Sequence, residues 1–95
     1  MYGTILRGQL KPGAEVELLD LVDEFVARRV PGFVAQYTYR MDVDPNVYMT
    51  AVIFESKDAY FANANSPDQD ALYQRLAALF ASEPEWHDGE IVYPR

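Results

Sequence analysis

The single histidine of this chain stands in Trp86-His87-Asp88, where an indole, an imidazole and a carboxylate follow one another. Histidine is the side chain whose charge changes nearest neutrality, so His87 is a candidate general base, with Trp86 as the wall of a binding pocket. Adjacent residues of a strand point to opposite faces, however, so Asp88 does not orient His87 from within one strand. A histidine at the surface or at a subunit interface, and a tryptophan packed at that seam, explain the same residues more simply. Tyr37 and Tyr39 alternate with Gln36, Thr38 and Arg40, so the tyrosines share a face with Phe33 and Met41. There Tyr37 is a candidate to offer its hydroxyl to a planar aromatic ligand, against the alternative of amphipathic packing. Asn63 has the donors and acceptors to hold a ligand oxygen, whereas its neighbour Asn65 reads as turn chemistry. Arg7 and Arg40 would bind an oxyanion only if they converged; dispersed arginines are usually solvated or paired with acids. Glu15, Glu17, Asp20, Asp23 and Glu24 lack the spacing of a metal site and read as the wet face of a helix.

These groups need elements to position them. Alternation from Tyr2 to Leu10 predicts a strand closed by Lys11-Pro12-Gly13. Apolar residues 18, 19, 22, 25, 26 and 30 recur at helical spacing, with acids at the start and Arg28 and Arg29 at the end, and Pro31-Gly32 then stops the helix. Phe33 to Met41 and Val47 to Glu55 predict a hairpin around an Asp-Pro-Asn turn. The later strand is apolar on both faces: Val47, Met49 and Ile53 on one, Tyr48, Val52 and Phe54 on the other. Ser56 is placed to cap a short helix from Lys57 to about Ala64. Ser66, with Pro67 next and Gln69 at capping-box spacing, is placed to cap another carrying Leu72, Leu76, Leu79 and Phe80 inward. Trp86 to Tyr93 reads as an edge or exchanged strand.

The order strand, helix, strand, strand, helix pair, strand predicts an α+β, ferredoxin-like split βαβ fold: an antiparallel sheet with its helices on one face. The other face is left bare and is also apolar. Pairing of two such sheets across a two-fold axis, giving a dimeric α/β barrel, is the simplest completion.

Composition narrows the function classes. The 95 residues read as one domain, residues 1–95, and a chain of that length buries only roughly 60–65% of its unfolded surface. Yet 49% of the residues are apolar and 14% aromatic, which again points to a homodimer that hides the excess. The absence of cysteine excludes a disulfide framework, a thiolate metal site and a thiol nucleophile. A net charge of −7 argues against nucleic acid and anionic membranes as partners, and the few bases form no stripe with interleaved aromatics. No apolar run approaches the roughly 18 residues of a membrane span, and no basic leader is visible, so a cytoplasmic chain is expected.

One stretch is more distinctive. Phe54-Glu55-Ser56, then Ala59-Tyr60, then Ser66-Pro67, resembles the strand-to-helix junction of the antibiotic biosynthesis monooxygenase family, and the likeness extends over essentially the whole chain. It also covers actinobacterial proteins that end in a similar Glu-Trp-(His or Asn)-Asp-Gly-Glu. The resemblance implies small dimeric barrels, among them anthrone oxygenases, quinol monooxygenases and heme-degrading enzymes. It further implies, for the oxygenases, that no cofactor is needed: a substrate that forms a stabilised carbanion reduces oxygen itself, inside a dry pocket that stabilises the oxyanion.

Carried over by residue, Tyr60 matches a family tyrosine that faces the cavity and becomes the leading catalytic candidate, with His87 second. Phe54 stands where anthrone oxygenases usually have tryptophan, and Thr50 where they have a catalytic asparagine. Asn63 and Leu72 stand where the heme degraders have tryptophan and histidine, and Thr4 replaces their first-strand asparagine. Asp68 and Gln69 follow Pro67, where quinol monooxygenases often have histidine. The resemblance therefore implies an oxidoreductase-type pocket for a small planar phenolic or quinoid molecule, with Thr50, Phe54 and Asn63 around it and no metal, which Tyr37 and Trp86 join from the reading of the residues themselves. The departures favour the alternative of a non-catalytic dimer that binds a small apolar or aromatic ligand in the same cavity. A ligand-sensing half of a transcription factor is disfavoured for want of a helix-turn-helix or basic surface.

Overall fold

Strand β1 (Tyr2–Gln9) lies at the centre of a four-stranded antiparallel sheet, in the order β2-β3-β1-β4, with β2 at Phe33–Arg40, β3 at Val47–Phe54 and β4 at Glu85–Glu90. This computed structural model describes residues 1–95. Helices α1 (Glu15–Ala27), α2 (Lys57–Ala64) and α3 (Pro67–Ala77) cover one face, which is the split βαβ arrangement the element order predicts. No helix is long and apolar enough to cross a membrane.

The sequence sets most element ends by local chemistry. Ser56 Oγ accepts from the Ala59 N–H at 3.1 Å, and Ser66 Oγ accepts from the Gln69 N–H at 3.1 Å, so both helices begin on a serine cap. The capping box at Ser66 is only half formed, because the Gln69 side chain turns away to accept from Asn63 Nδ2 at 3.2 Å. The hairpin turns on Asp44, whose Oδ1 accepts from the Asn46 N–H at 3.0 Å.

Helix α1 begins where expected but differs from expectation at its C-terminal end and in phase. It starts without a side-chain cap and stops at Ala27, and Arg29 takes the left-handed turn at φ 50° before Pro31 is reached. Leu18 and Leu21 form its buried face, whereas Leu19 and Val26, which the spacing also marked as apolar, stay exposed. Gly32 has a separate duty. Its φ of 81° suits glycine, and a Cβ there would lie 2.5 Å from the Ala59 Cβ, so the chain passes directly over α2.

The covered face of the sheet has two halves. Leu6, Leu10, Ala14, Leu18, Tyr48 and Phe80 form a solid core, with Leu76 and Leu79 packed against it. Gly8 belongs to this half: a Cβ on it would meet the Phe80 ring at 2.5 Å. The other half, towards the start of β1 and the end of β3, is hollow.

The opposite face carries no helix. Across the strands its rows read Tyr37, Ala51, Ile5 and His87, then Tyr39, Met49, Arg7 and Glu85. Phe33 does not belong to this face as expected. A bulge between Phe33 and Ala35 turns its ring to the helix side, 5.1 Å from Phe25 and 5.8 Å from Phe54.

Candidate functional site

The hollow half is a cavity of about 250 Å³ between the sheet and the three helices. Its floor comes from alternate residues of three strands: Thr4 and Leu6 of β1, Gln36 of β2, and Thr50, Val52 and Phe54 of β3. Leu18, Leu21, Val22 and Phe25 of α1 wall one side. Tyr60, Asn63 and Ala64 of α2 with Gln69, Leu72 and Leu76 of α3 wall the other, and Trp86 closes the β4 edge.

Tyr60, Thr50, Phe54, Asn63 and Trp86 therefore meet in one place, as the sequence predicts. Two candidates do not. Tyr37 is 57% exposed and points to the bare face, because β2 enters the cavity through Gln36 and Tyr37 is its neighbour on a period-two strand. His87 shares that bare face, opposite Ile5, with its Nε2 3.5 Å from Glu85 Oε2 and its side chain mostly in solvent. Neither touches the cavity, so neither is positioned to act on a molecule bound there. Arg7 and Arg40 do not converge either: Arg7 lies on the bare face in the row of Met49 and Glu85, while Arg40 Nη2 pairs with Glu15 at 2.8 Å; Arg75 Nη1 pairs with Glu24 at 2.8 Å. The guanidinium of Arg40 holds the Glu15 carboxyl below the usual carboxylate range, and Arg75 does the same for Glu24. No three His, Asp or Glu side chains come together as a metal site anywhere in the chain.

Tyr60 is the hinge of the site. Its hydroxyl donates to Asp88 Oδ1 at 2.9 Å, and its ring sits in an aromatic cluster with Tyr2 at 5.3 Å, Phe61 at 5.0 Å and Phe54 at 5.6 Å. Burial, and then the hydrogen bond to Asp88, push its phenol from the ordinary 10.0 up to about 12, while the hydroxyl of Thr4 acts in the opposite sense. That hydroxyl makes no full hydrogen bond: Thr4 Oγ1 is buried without a partner. Because the fold favours the protonated phenol, the stabilisation is complete below about pH 10 and is lost as the pH rises from 10 towards 12, where the unfolded chain ionises first. Urea midpoints measured across that range should fall more steeply for the native chain than for Tyr60→Phe; equal slopes would contradict the assignment.

Proton accounting fixes the remaining polar groups. Thr38 Oγ1 donates to Gln36 Oε1 at 2.9 Å and lies 3.1 Å from Thr50 Oγ1. A hydroxyl has one proton, so Thr50 is the donor in the second bond and keeps only acceptor capacity. The Gln36 carboxamide spends its oxygen on Thr38 and retains its NH₂ for the cavity. Asn63, committed to Gln69 through one N–H, retains its carbonyl. Among all the lining residues Tyr60 alone is titratable. At neutral pH the cavity thus presents polar groups but no charge.

Sequence reasoning did not place Gln36 at the site, weighed Asp88 only as a partner of His87, and treated Thr4 and Gln69 only as departures from relatives. Strand period offered a signal for Gln36. Nothing local to Asp88 marks it, because its partner is 28 positions earlier in the chain.

The comparisons with known proteins agree with this architecture. In the solved structures, SnoaB, a cofactor-independent oxygenase from Streptomyces nogalater (solved as a mutant), superposes with a TM-score of 0.77 at 23% identity, covering 99% of this chain and 97% of that one. An antibiotic biosynthesis monooxygenase-type protein from Deinococcus radiodurans gives 0.81 at 11% identity, covering 100% and 96% of the two chains. A similarly described protein from Bordetella bronchiseptica gives 0.77 at 21%, covering 97% of each. At such identities the likeness establishes the fold. A search of curated proteins gave no match. The profile of the family described as antibiotic biosynthesis monooxygenase matches residues 1–84, and the chain belongs to that family.

Proposed function

We propose that this protein is a cofactor-independent, monooxygenase-type oxidoreductase whose cavity receives a small, neutral, planar phenolic or quinoid molecule. The observation that carries this reading is the cavity itself: about 250 Å³, mostly apolar, with neutral polar groups from Thr4, Gln36, Thr50, Tyr60 and Asn63 and no ionised side chain. A charged substrate entering it would lose its hydration without finding a counter-charge. A flat aromatic molecule would stack among Phe25, Phe54 and Trp86 and place its oxygens on those groups. In an anthrone-type reaction, a ring CH₂ becomes a carbonyl: one atom of O₂ enters the product and the other leaves as water with the two hydrogens. The residues here would exclude bulk water and hold the developing enolate oxygen by a hydrogen bond from the Gln36 amide.

The same cavity favours a second reading. A general base poised near neutrality is missing from its walls, Tyr60 being held at about 12. A protein of this kind that binds such a molecule without turning it over uses the same residues. Oxygen uptake with an anthrone or a hydroquinone separates the two: turnover above buffer that Tyr60→Phe reduces at least about tenfold supports the oxygenase, and binding without uptake supports the carrier.

The reading includes a homodimer joined through the bare sheet face. Ile5 and Tyr37, 46% and 57% exposed, lie in its middle row with Ala51 between them, and Met49 and Tyr39 extend it. Such a contiguous apolar strip is what a second copy would cover. His87, Glu85 and Arg7 would then form its polar rim. Placement in the cytoplasm is part of the same reading.

A further inference from the structure

We infer that Asp88 is a positioning residue that makes the cavity selective for a ligand hydroxyl over an oxygen that can only accept. The inference rests on the reading of the cavity as a site for a phenolic or quinoid molecule, and it states which of these the site prefers.

The argument begins with register. Thr4 and Asp88 are directly opposed across β1 and β4, so both face the helices, with Trp86 on the same side and His87 on the other. Tyr60 reaches this pair from α2, and its hydroxyl donates to Asp88 Oδ1 at 2.9 Å. Asp88 lies on an exposed edge strand, whereas Tyr60 lines the cavity, so the phenol spends its single proton outward. What it offers inward is lone pairs alone, and a ligand atom meeting it must bring a proton of its own. Thr4 completes the pattern: the residue is 4% exposed and lines the cavity, and its buried hydroxyl has no partner. A buried hydroxyl left unpaired is unfavourable, and a ligand oxygen at this spot would satisfy it. One atom meets both demands: a hydroxyl oxygen that donates to Tyr60 and accepts from Thr4. A phenol or hydroquinone has that atom; a quinone carbonyl or an aryl ether lacks the proton and would place its lone pairs against those of Tyr60.

Calorimetric titration with 2-naphthol and 2-methoxynaphthalene, which differ in that proton, tests the inference on the full chain. The native protein should bind 2-naphthol at least about tenfold more tightly, the value of one well-made hydrogen bond. Asp88→Ala frees the Tyr60 proton to turn inward and should reduce the preference to less than about threefold. Asp88→Asn, whose amide oxygen still accepts from the phenol, should restore it. Because Asp88 is exposed, the far-UV spectrum of each variant should match that of the native chain, and this is checked first. An unchanged preference in Asp88→Ala, or a preference lost equally in Asp88→Asn, would overturn the positioning role while leaving the cavity's ligand class standing. Failure of the native chain to bind either probe would overturn the ligand class itself.

Discussion

Phe54→Ala should lower the stability of the fold by about 3–5 kcal/mol, the range for truncating a buried phenylalanine. Phe54 is 1% exposed, one of the two largest fully buried side chains, and it sits edge-on between the rings of Phe33 at 5.8 Å and Tyr60 at 5.6 Å. Only 14 of the 95 residues are buried, so few other contacts share the load. Against a total stability of roughly 5–15 kcal/mol for a small domain, such a loss removes a large part of the whole. Thermal unfolding followed by circular dichroism should show a midpoint lower by roughly 15–30 °C. Val43→Ala, at a side chain 99% exposed, should stay within about 0.5 kcal/mol of the native chain. A loss below about 1 kcal/mol at Phe54 would mean that its ring is packed less tightly than described.

The second large effect concerns assembly. Ile5→Asp should abolish the proposed dimer, leaving a species of 10.8 kDa in sedimentation at micromolar concentration. Within one subunit Ile5 is 46% exposed, so a carboxylate there remains hydrated and the fold should persist. Across a two-fold interface the same substitution occurs twice, and each buried, unpaired carboxylate costs several kcal/mol. The dissociation constant should therefore rise at least about 1,000-fold. A native chain that sediments at 10.8 kDa, or an Ile5→Asp chain that stays dimeric, would remove the sheet face as the site of association.

Most of the fold was legible because its signals are local. Ser56 and Ser66 announce two helix starts, Asp44 announces the hairpin turn, and the apolar Val47–Phe54 run announces a strand with two apolar faces. Helix α1 was harder to phase, since Leu18, Leu19, Leu21 and Val22 are all apolar and only contact with the sheet selects which of them turn inward. The bulge at Phe33 was invisible for a related reason: it changes the face of one ring without changing the composition of the strand.

The candidate site divides the same way. Tyr60, Phe54 and Thr50 were found through the strand-to-helix junction that carries the family resemblance, and they do line one cavity. His87 and Tyr37 drew notice by residue type, yet residue type says nothing of the face of the sheet on which a side chain falls. In each case the residue beside it on the strand, Asp88 or Gln36, reaches the helix side.

The sequence by itself determined the elements, their order and therefore the split βαβ architecture, because caps, turns and apolar period act over a few residues. Only the tertiary structure decided that half of the helix-covered face is hollow, that its walls are uncharged, and that the proton of Tyr60 is directed out to Asp88. Those properties depend on strand register and on contacts between residues far apart in the chain, where a one-residue shift exchanges every strand side chain in the cavity for its neighbour on the bare face.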